Sequence, residues 1–214
     1  MRVDEIPLLA GLEPNVRSQS LVMRHFSEGE VIFHQGTPTT GLWMVLNGRV
    51  AIEHIGARGG LVTSGIWVPG DIIGIAGLWD QSGYPGSARA LDTPTEIAWM
   101  DRATALSLHQ QVPSFAIAIS EFLARRLRFV QENIANRQGR PVIQQLSIIL
   151  SMLSRRTGVY VRLTHEDLAH MIGTHRETIS RTLQELQKLH LIESGYGEIH
   201  VLDQEGLEKL VDDF

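Results

Sequence analysis

The chain has 214 residues, 43% hydrophobic and 20% charged, with a formal net charge of −5 and no cysteine; this length predicts two domains of roughly 100 to 150 residues, each able to bury its own core. The missing thiols exclude disulfides, thiolate zinc sites and cysteine-ligated iron–sulfur clusters. No run reaches the ~18 apolar residues of a membrane span, and residues 1–12, with Asp4 and Glu5, lack the basic start and long apolar middle of a signal peptide, so a cytoplasmic protein with no membrane partner is expected.

Residues 21–100 predict short strands separated by turns. Val31-Ile32-Phe33, Leu42-Trp43-Met44-Val45-Leu46, Val50-Ala51-Ile52, Leu61-Val62, Ile66-Trp67-Val68 and Glu96-Ile97-Ala98-Trp99 form the runs, with Gly, Pro, Asn and Asp clustered between them. Asn47-Gly48 carries the strongest hairpin signal, because both residue types tolerate the positive φ of a type I′ turn. Evenly spaced short strands point to a barrel or a double-sheet roll.

After Pro113 the period changes. Ala116, Ser120, Leu123, Leu127, Val130 and Ile134 recur at alternating steps of four and three, the spacing of a heptad seam, and Phe115, Phe122 and Phe129 form a second stripe. A helix with two apolar stripes can cover its own roll with one and meet a symmetry mate with the other; covering the roll alone is the simpler reading of the same pattern. Gly139 suits a helix end and Pro141 the first turn of the next helix, which places a hinge between them. The chain thus divides into 1–112, a β-roll of sensor type, 113–138, a dimerisation helix, and 139–214, a C-terminal domain. Its first helix is expected over 142–153, followed by a Thr157-Gly158 turn.

Residues 163–202 carry the most information. Thr164-His165-Glu166-Asp167 opens a helix with a capping box in which Asp replaces the usual Glu or Gln, and Leu168, Met171 and Ile172 give that helix an apolar face. Gly173 supplies a tight turn, and Thr174-His175-Arg176-Glu177 reads as a second capping box that starts a second helix. Two short helices joined by a glycine turn are a helix-turn-helix. On the second helix Ile179, Leu183 and Leu186 share an inward face, while Arg176, Glu177, Ser180 and Arg181 project elsewhere in its first two turns, where a recognition helix meets base edges. Arginine can fork onto guanine and glutamate can accept from cytosine; the plainer reading is a solvated Glu177–Arg181 ion pair on an ordinary helix. Residues 193–201 read as a hairpin wing. The net charge argues against a nucleic-acid partner, yet residues 137–190 hold eight Arg and Lys against four Asp and Glu, a local basic surface.

At Ile172-Gly173-Thr174-His175-Arg176-Glu177-Thr178-Ile179-Ser180-Arg181, with Leu163-Thr164 upstream and Leu191-Ile192 downstream, the sequence resembles the Crp/Fnr family of bacterial transcription regulators, which includes the cyclic-AMP receptor protein and the fumarate and nitrate reduction regulator. Weaker likeness lies in Gly29, Gly36, Asn47-Gly48 and Pro69-Gly70-Asp71-Ile72-Ile73-Gly74. The resemblance implies an α+β fold: an N-terminal cyclic-nucleotide-binding-like β-roll, a long dimerisation helix and a C-terminal winged helix-turn-helix. It further implies a homodimer on an inverted repeat of double-stranded DNA, with RNA polymerase as a partner. Thr174, His175, Arg176, Glu177, Ser180 and Arg181 are the DNA-contacting set it suggests. Arg176, Glu177 and Arg181 match the base-reading positions of the cyclic-AMP receptor, which implies a TGTGA-like half-site. Ser180 matches the serine of the fumarate and nitrate regulator, which implies TTGAT; TGA is common to both.

The family's cyclic-nucleotide pocket uses an acid beside a turn glycine, an Arg-Ser pair for the phosphate, and a Thr-Ser pair on the dimer helix. Here those positions fall at Ile75, near Tyr84-Pro85-Gly86-Ser87, and at Val130-Gln131. A phosphate buried without a cation is costly, so cyclic AMP is not the expected effector. Gly74, Ile75 and Ala76 at a turn, with Arg89, Arg126 and Val130, are the candidate effector residues, suited to a small carboxylate; solvated arginines are the alternative. Neither a cofactor nor a metal is indicated: none of the nine histidines lies between His54 and His109, where a haem ligand would be wanted, and no His-x-His or Gly-x-Ser-x-Gly pattern suggests an enzyme. The competing functional reading is a ligand-binding signalling module whose C-terminal domain binds protein rather than DNA.

Overall fold

The computed structural model describes residues 1–56, 60–79, 82–137, 139–158, 160–195 and 197–212, with backbone alone at 129, 132–137, 160 and 212. Two compact units divide it, Met1–Arg128 and Phe129–Phe214. The division falls inside the long helix, upstream of the hinge expected at Gly139.

In the first unit, short 3-10 turns and α1 (Pro14–Gln19) precede β1 (Val22–Phe26), β2 (Val31–Phe33), β3 (Gly41–Asn47), β4 (Val50–Ile55), β5 (Leu61–Trp67), β6 (Ile72–Ile73), β7 (Ser87–Ala90) and β8 (Thr95–Asp101). Then come α2 (Arg102–Gln111) and the start of α3 (Pro113–Arg137). The strands form two four-stranded antiparallel sheets, ordered β1-β8-β3-β6 and β2-β7-β4-β5. This is the double-sheet roll that the strand spacing predicts.

Strand β3 is buried on both faces, and its period of two sorts the side chains. Leu42, Met44 and Leu46 join Ile6, Leu9, Met100, Leu108, Phe115 and Ile119 in a core between sheet and helices. Trp43 and Val45 join Phe33, Val50, Trp67, Tyr84 and Ile97 in a second core on the opposite face. Tyr84 satisfies two polar groups at that core: its hydroxyl accepts from Trp43 Nε1 at 2.9 Å and from the Thr40 amide at 3.1 Å. Its ring stacks on Phe33 at 3.8 Å between centroids.

The Asn47-Gly48 hairpin does not form. Asn47 stays extended, paired with Glu96, and only Gly48 takes a positive φ (76°), so the type I′ geometry is absent. The turn instead carries the chain from one sheet to the other, since β3 pairs with β6 and β8 while β4 pairs with β5 and β7. Gly48 is required there: a Cβ would lie 2.6 Å from Thr95 Oγ1. The two runs at 61–62 and 66–68 are one strand, β5, continuous through Gly65 with a bulge opposite Ile52-Glu53.

Helix α3 presents two faces. Phe115 and Ile119 are buried against the first core, with Phe122 packed partly on it, whereas Ile117 and Leu127 are 59% and 60% exposed and Leu123 and Val130 are exposed as well. The expected roles of Phe129 and Ile134 fall on side chains outside the described set. Among the described residues no helix is long and apolar enough to cross a membrane.

In the second unit, α4 (Val142–Thr157) runs a turn beyond the expected end, with Pro141 as its N-cap rather than inside its first turn. It is followed by β9 (Tyr160–Val161), α5 (His165–Ile172), α6 (Arg176–Lys188), β10 (Ile192–Ser194), β11 (Ile199–Val201) and α7 (Gln204–Asp212). The wing is a three-stranded antiparallel sheet ordered β10-β11-β9. Helix α7 is tied to α4 by polar groups: Ser154 donates to Gln204 at 2.6 Å, Ser151 to Glu208 at 3.0 Å, and Arg155 pairs with Glu208 at 2.6 Å.

Candidate nucleic-acid interface

Helix α5 begins as its sequence dictates. Thr164 Oγ1 accepts from the Asp167 amide (3.1 Å) and Asp167 Oδ2 accepts from the Thr164 amide (3.0 Å), which completes the capping box. Gly173 ends it at φ 79°, and its amide and that of Thr174 both reach back to the Ala169 carbonyl, at 2.8 and 3.1 Å. Open space surrounds the position of a Gly173 Cβ, so the left-handed backbone, not crowding, calls for glycine.

The second capping box, at Thr174, does not form. The Thr174 amide closes the end of α5, so His175 becomes the N-cap of α6, without a side-chain capping bond. Glu177 thereby falls at the second helical position instead of the third and has no cap amide to bind. Its carboxylate stays on the surface as a result.

Ile179, Leu183 and Leu186 are buried at 1% exposure or less, each contributing roughly 1.5–3 kcal/mol on removal from water. They fix the rotation of α6 and leave His175, Arg176, Glu177 and Arg181 exposed, with Thr174 half-buried beside them. The Glu177–Arg181 ion pair allowed by their spacing is not formed, and within the described residues Arg176, Glu177 and Arg181 hold no side-chain hydrogen bond or ion pair. Ser180 differs. Its hydroxyl donates to the Arg176 carbonyl at 3.0 Å and lies 2.8 Å from His165 Nδ1 on α5. Burial, aided by the charge of Arg176, lowers the pKa of His165. The wider basic surface is thinner than the sequence count implies, because Arg162 pairs with Glu198 (2.8 Å) and Arg155 with Glu208.

Each candidate effector residue has its own surroundings in the fold. Gly74 opens a 3-10 turn, Ile75–Gly77; the Ile75 side chain is buried in the helix-side core, and Ala76 and Val130 are exposed. Arg89 is held by an ion pair: its Nε donates to Glu53 at 3.0 Å, and the Glu53 side chain is only 8% exposed. Arg126 stands over the Trp67 ring, 4.4 Å from its centroid. Sequence reasoning missed Glu53, Trp67 and His165 as the partners that occupy these polar groups; the Glu53 and Arg89 positions are 36 residues apart, and no local pattern links them.

Comparison with known proteins agrees with this architecture. Residues 23–112 match the cyclic nucleotide-binding domain and residues 144–210 the Crp-like helix-turn-helix domain. The Cyclic AMP receptor protein of Thermus thermophilus is 28% identical over 208 residues, spanning 95% of this chain and 96% of that protein. The HTH-type transcriptional regulator Cmr of Mycobacterium tuberculosis is 28% identical over 190 residues, 89% of this chain and 76% of its own length. The structure of FixK2 from Bradyrhizobium japonicum superposes with a TM-score of 0.79 at 19% identity, covering 89% and 96% of the two chains, and so shares the fold. With a cyclic-nucleotide-binding-type roll followed by a Crp-like helix-turn-helix, the chain belongs to the Crp/Fnr family of bacterial transcription regulators.

Proposed function

We propose that the protein is a homodimer that reads an inverted repeat in double-stranded DNA, with a TGTGA-like half-site built on a TGA core. One observation carries the reading: Arg176, Glu177 and Arg181 stand exposed in the first turns of a helix whose opposite face is locked into a core. Two guanidinium forks suit guanine O6 and N7, and one carboxylate suits the cytosine amine. Thr174 and His175 flank them, the Ser180 hydroxyl turns instead toward His165, and the first-turn amides of α6, without a side-chain cap, suit a phosphate. The exposed Ile117, Leu123, Leu127 and Val130 support pairing of two copies through α3. Recruitment of RNA polymerase, and a cytoplasmic location beside the DNA, rest on family membership.

A small molecule held by the roll modulates activity, and it is not cyclic AMP. An apolar Ile75 stands where the family places an acid, and the charge of Arg89 is already balanced by Glu53. Titration with cyclic AMP is expected to leave the melting temperature unmoved; a saturable stabilisation would overturn this part of the reading.

Selection of bound duplexes from a random pool tests the whole. Inverted repeats with a TGA core are expected. Arg181→Ala should lose about 1–3 kcal/mol on the selected site and relax one base position. Full discrimination retained by that variant would favour the protein-binding reading of the C-terminal unit.

A further inference from the structure

Ser180 belongs to the outward row of α6, yet its hydroxyl is engaged inward. A hydroxyl carries one proton. With that proton on the Arg176 carbonyl at 3.0 Å, the contact of 2.8 Å to His165 needs the imidazole as donor, from Nδ1–H to the Ser180 oxygen. The imidazole is held for this task from its own side. It occupies the first position of α5, directly after Thr164, whose reciprocal bonds with Asp167 fix the start of that helix. Half-buried and close to the Arg176 charge, it stays neutral at neutral pH, and the hydrogen bond selects its Nδ1–H form.

We infer that His165 is a positioning residue for base recognition: its bond to Ser180 holds the serine hydroxyl along the joint between α5 and α6 and off the bases, so that Arg176, Glu177 and Arg181 alone read the half-site. The inference rests on the DNA-reading proposal and decides its open element. A serine turned to the bases would add a third kind of contact outside the TGA core; a serine bound to His165 leaves that outer base to Arg176. The same geometry makes His165 a specificity determinant that need not touch DNA.

The test is duplex selection followed by affinity measurement for the full chain and four variants. Ser180→Ala is expected to choose the wild-type half-site and bind it within about twofold. His165→Ala releases the hydroxyl and should change the base preferred outside the core by about three- to tenfold, the worth of one hydrogen bond. The double variant, lacking the released hydroxyl, should return to the wild-type choice, and His165→Asn, which keeps a donor near the Nδ1 position, should never leave it. A change of outer base in Ser180→Ala alone would overturn the inference, as would a His165→Ala variant that chooses as the wild type does. If melting shows that His165→Ala is unfolded, the Ser180→Ala and His165→Asn outcomes decide. Failure of the wild type to select any sequence would instead bring down the DNA-reading proposal itself.

Discussion

In the roll, guanidinium groups are taken up by the protein: Arg49 forks onto Asp92 at 2.7 and 2.8 Å, Arg89 onto Glu53, and Arg126 lies over Trp67. On α6, Arg176 and Arg181 point away from a core that the same helix buries. The first arrangement stabilises the fold and forgoes a binding charge. The second contributes little to folding and keeps its donors for a partner, because exposed ion pairs are worth only about 0–1 kcal/mol.

The sharpest way to break this contrast is to attack the support beneath the reading surface. Leu183→Ala, at a site 1% exposed, should cost about 2–5 kcal/mol in denaturant unfolding of the C-terminal unit and abolish DNA binding through misfolding. In the roll, Glu53→Ala strands the Arg89 charge; a loss of ~2 kcal/mol is expected, below that of a fully dry pair because the Arg89 side chain is 28% exposed. Arg181→Ala should show the inverse pattern, with unchanged melting and weakened specific binding. If Glu53→Ala melted like the wild type while Arg181→Ala unfolded readily, the assignment of roles would be reversed.

The smallest effect is titratable. Asp101 caps α2 by accepting from the Thr104 amide at 3.0 Å, and hydrogen bonding from Thr104 lowers its pKa. A carboxyl whose folded pKa is depressed stabilises the protein above its unfolded pKa, and the contribution is lost as pH falls through the folded value. Asp101→Asn keeps a capping oxygen without the titration. Its stability deficit, measured by thermal melting, should therefore shrink as pH drops below ~4; a deficit constant with pH would remove the charge from the account.

The helix-turn-helix was legible because its signals are local. Thr164 and Asp167 are three residues apart, Gly173 marks the turn, and the apolar positions of α6 recur at helical spacing. The roll was legible only as a set of strands. Their pairing was misread at Asn47-Gly48 because the sequence shows what a turn tolerates, not which sheet the next strand joins. Strands β1 and β7, Val-Met-Arg-His-Phe and Ser-Ala-Arg-Ala, were not distinguished from turn text; they owe their conformation to partners such as β8 and β4. The partners of the candidate effector arginines were not legible for a related reason. Arg89 engages Glu53 and Arg126 stands over Trp67, partners distant in sequence that only folding brings near.

The crossing at Gly48 has a kinetic consequence. Because the chain alternates between sheets, β8 pairs with both β1 and β3, and Val22 meets Trp99 across nearly the whole roll. A ribosome must release almost all of these strands before the first sheet can close, whereas α5 and α6 meet across a three-residue turn. Such distant pairing is slow to nucleate, so the nascent roll carries its unsatisfied strand edges for longer than the reading head does.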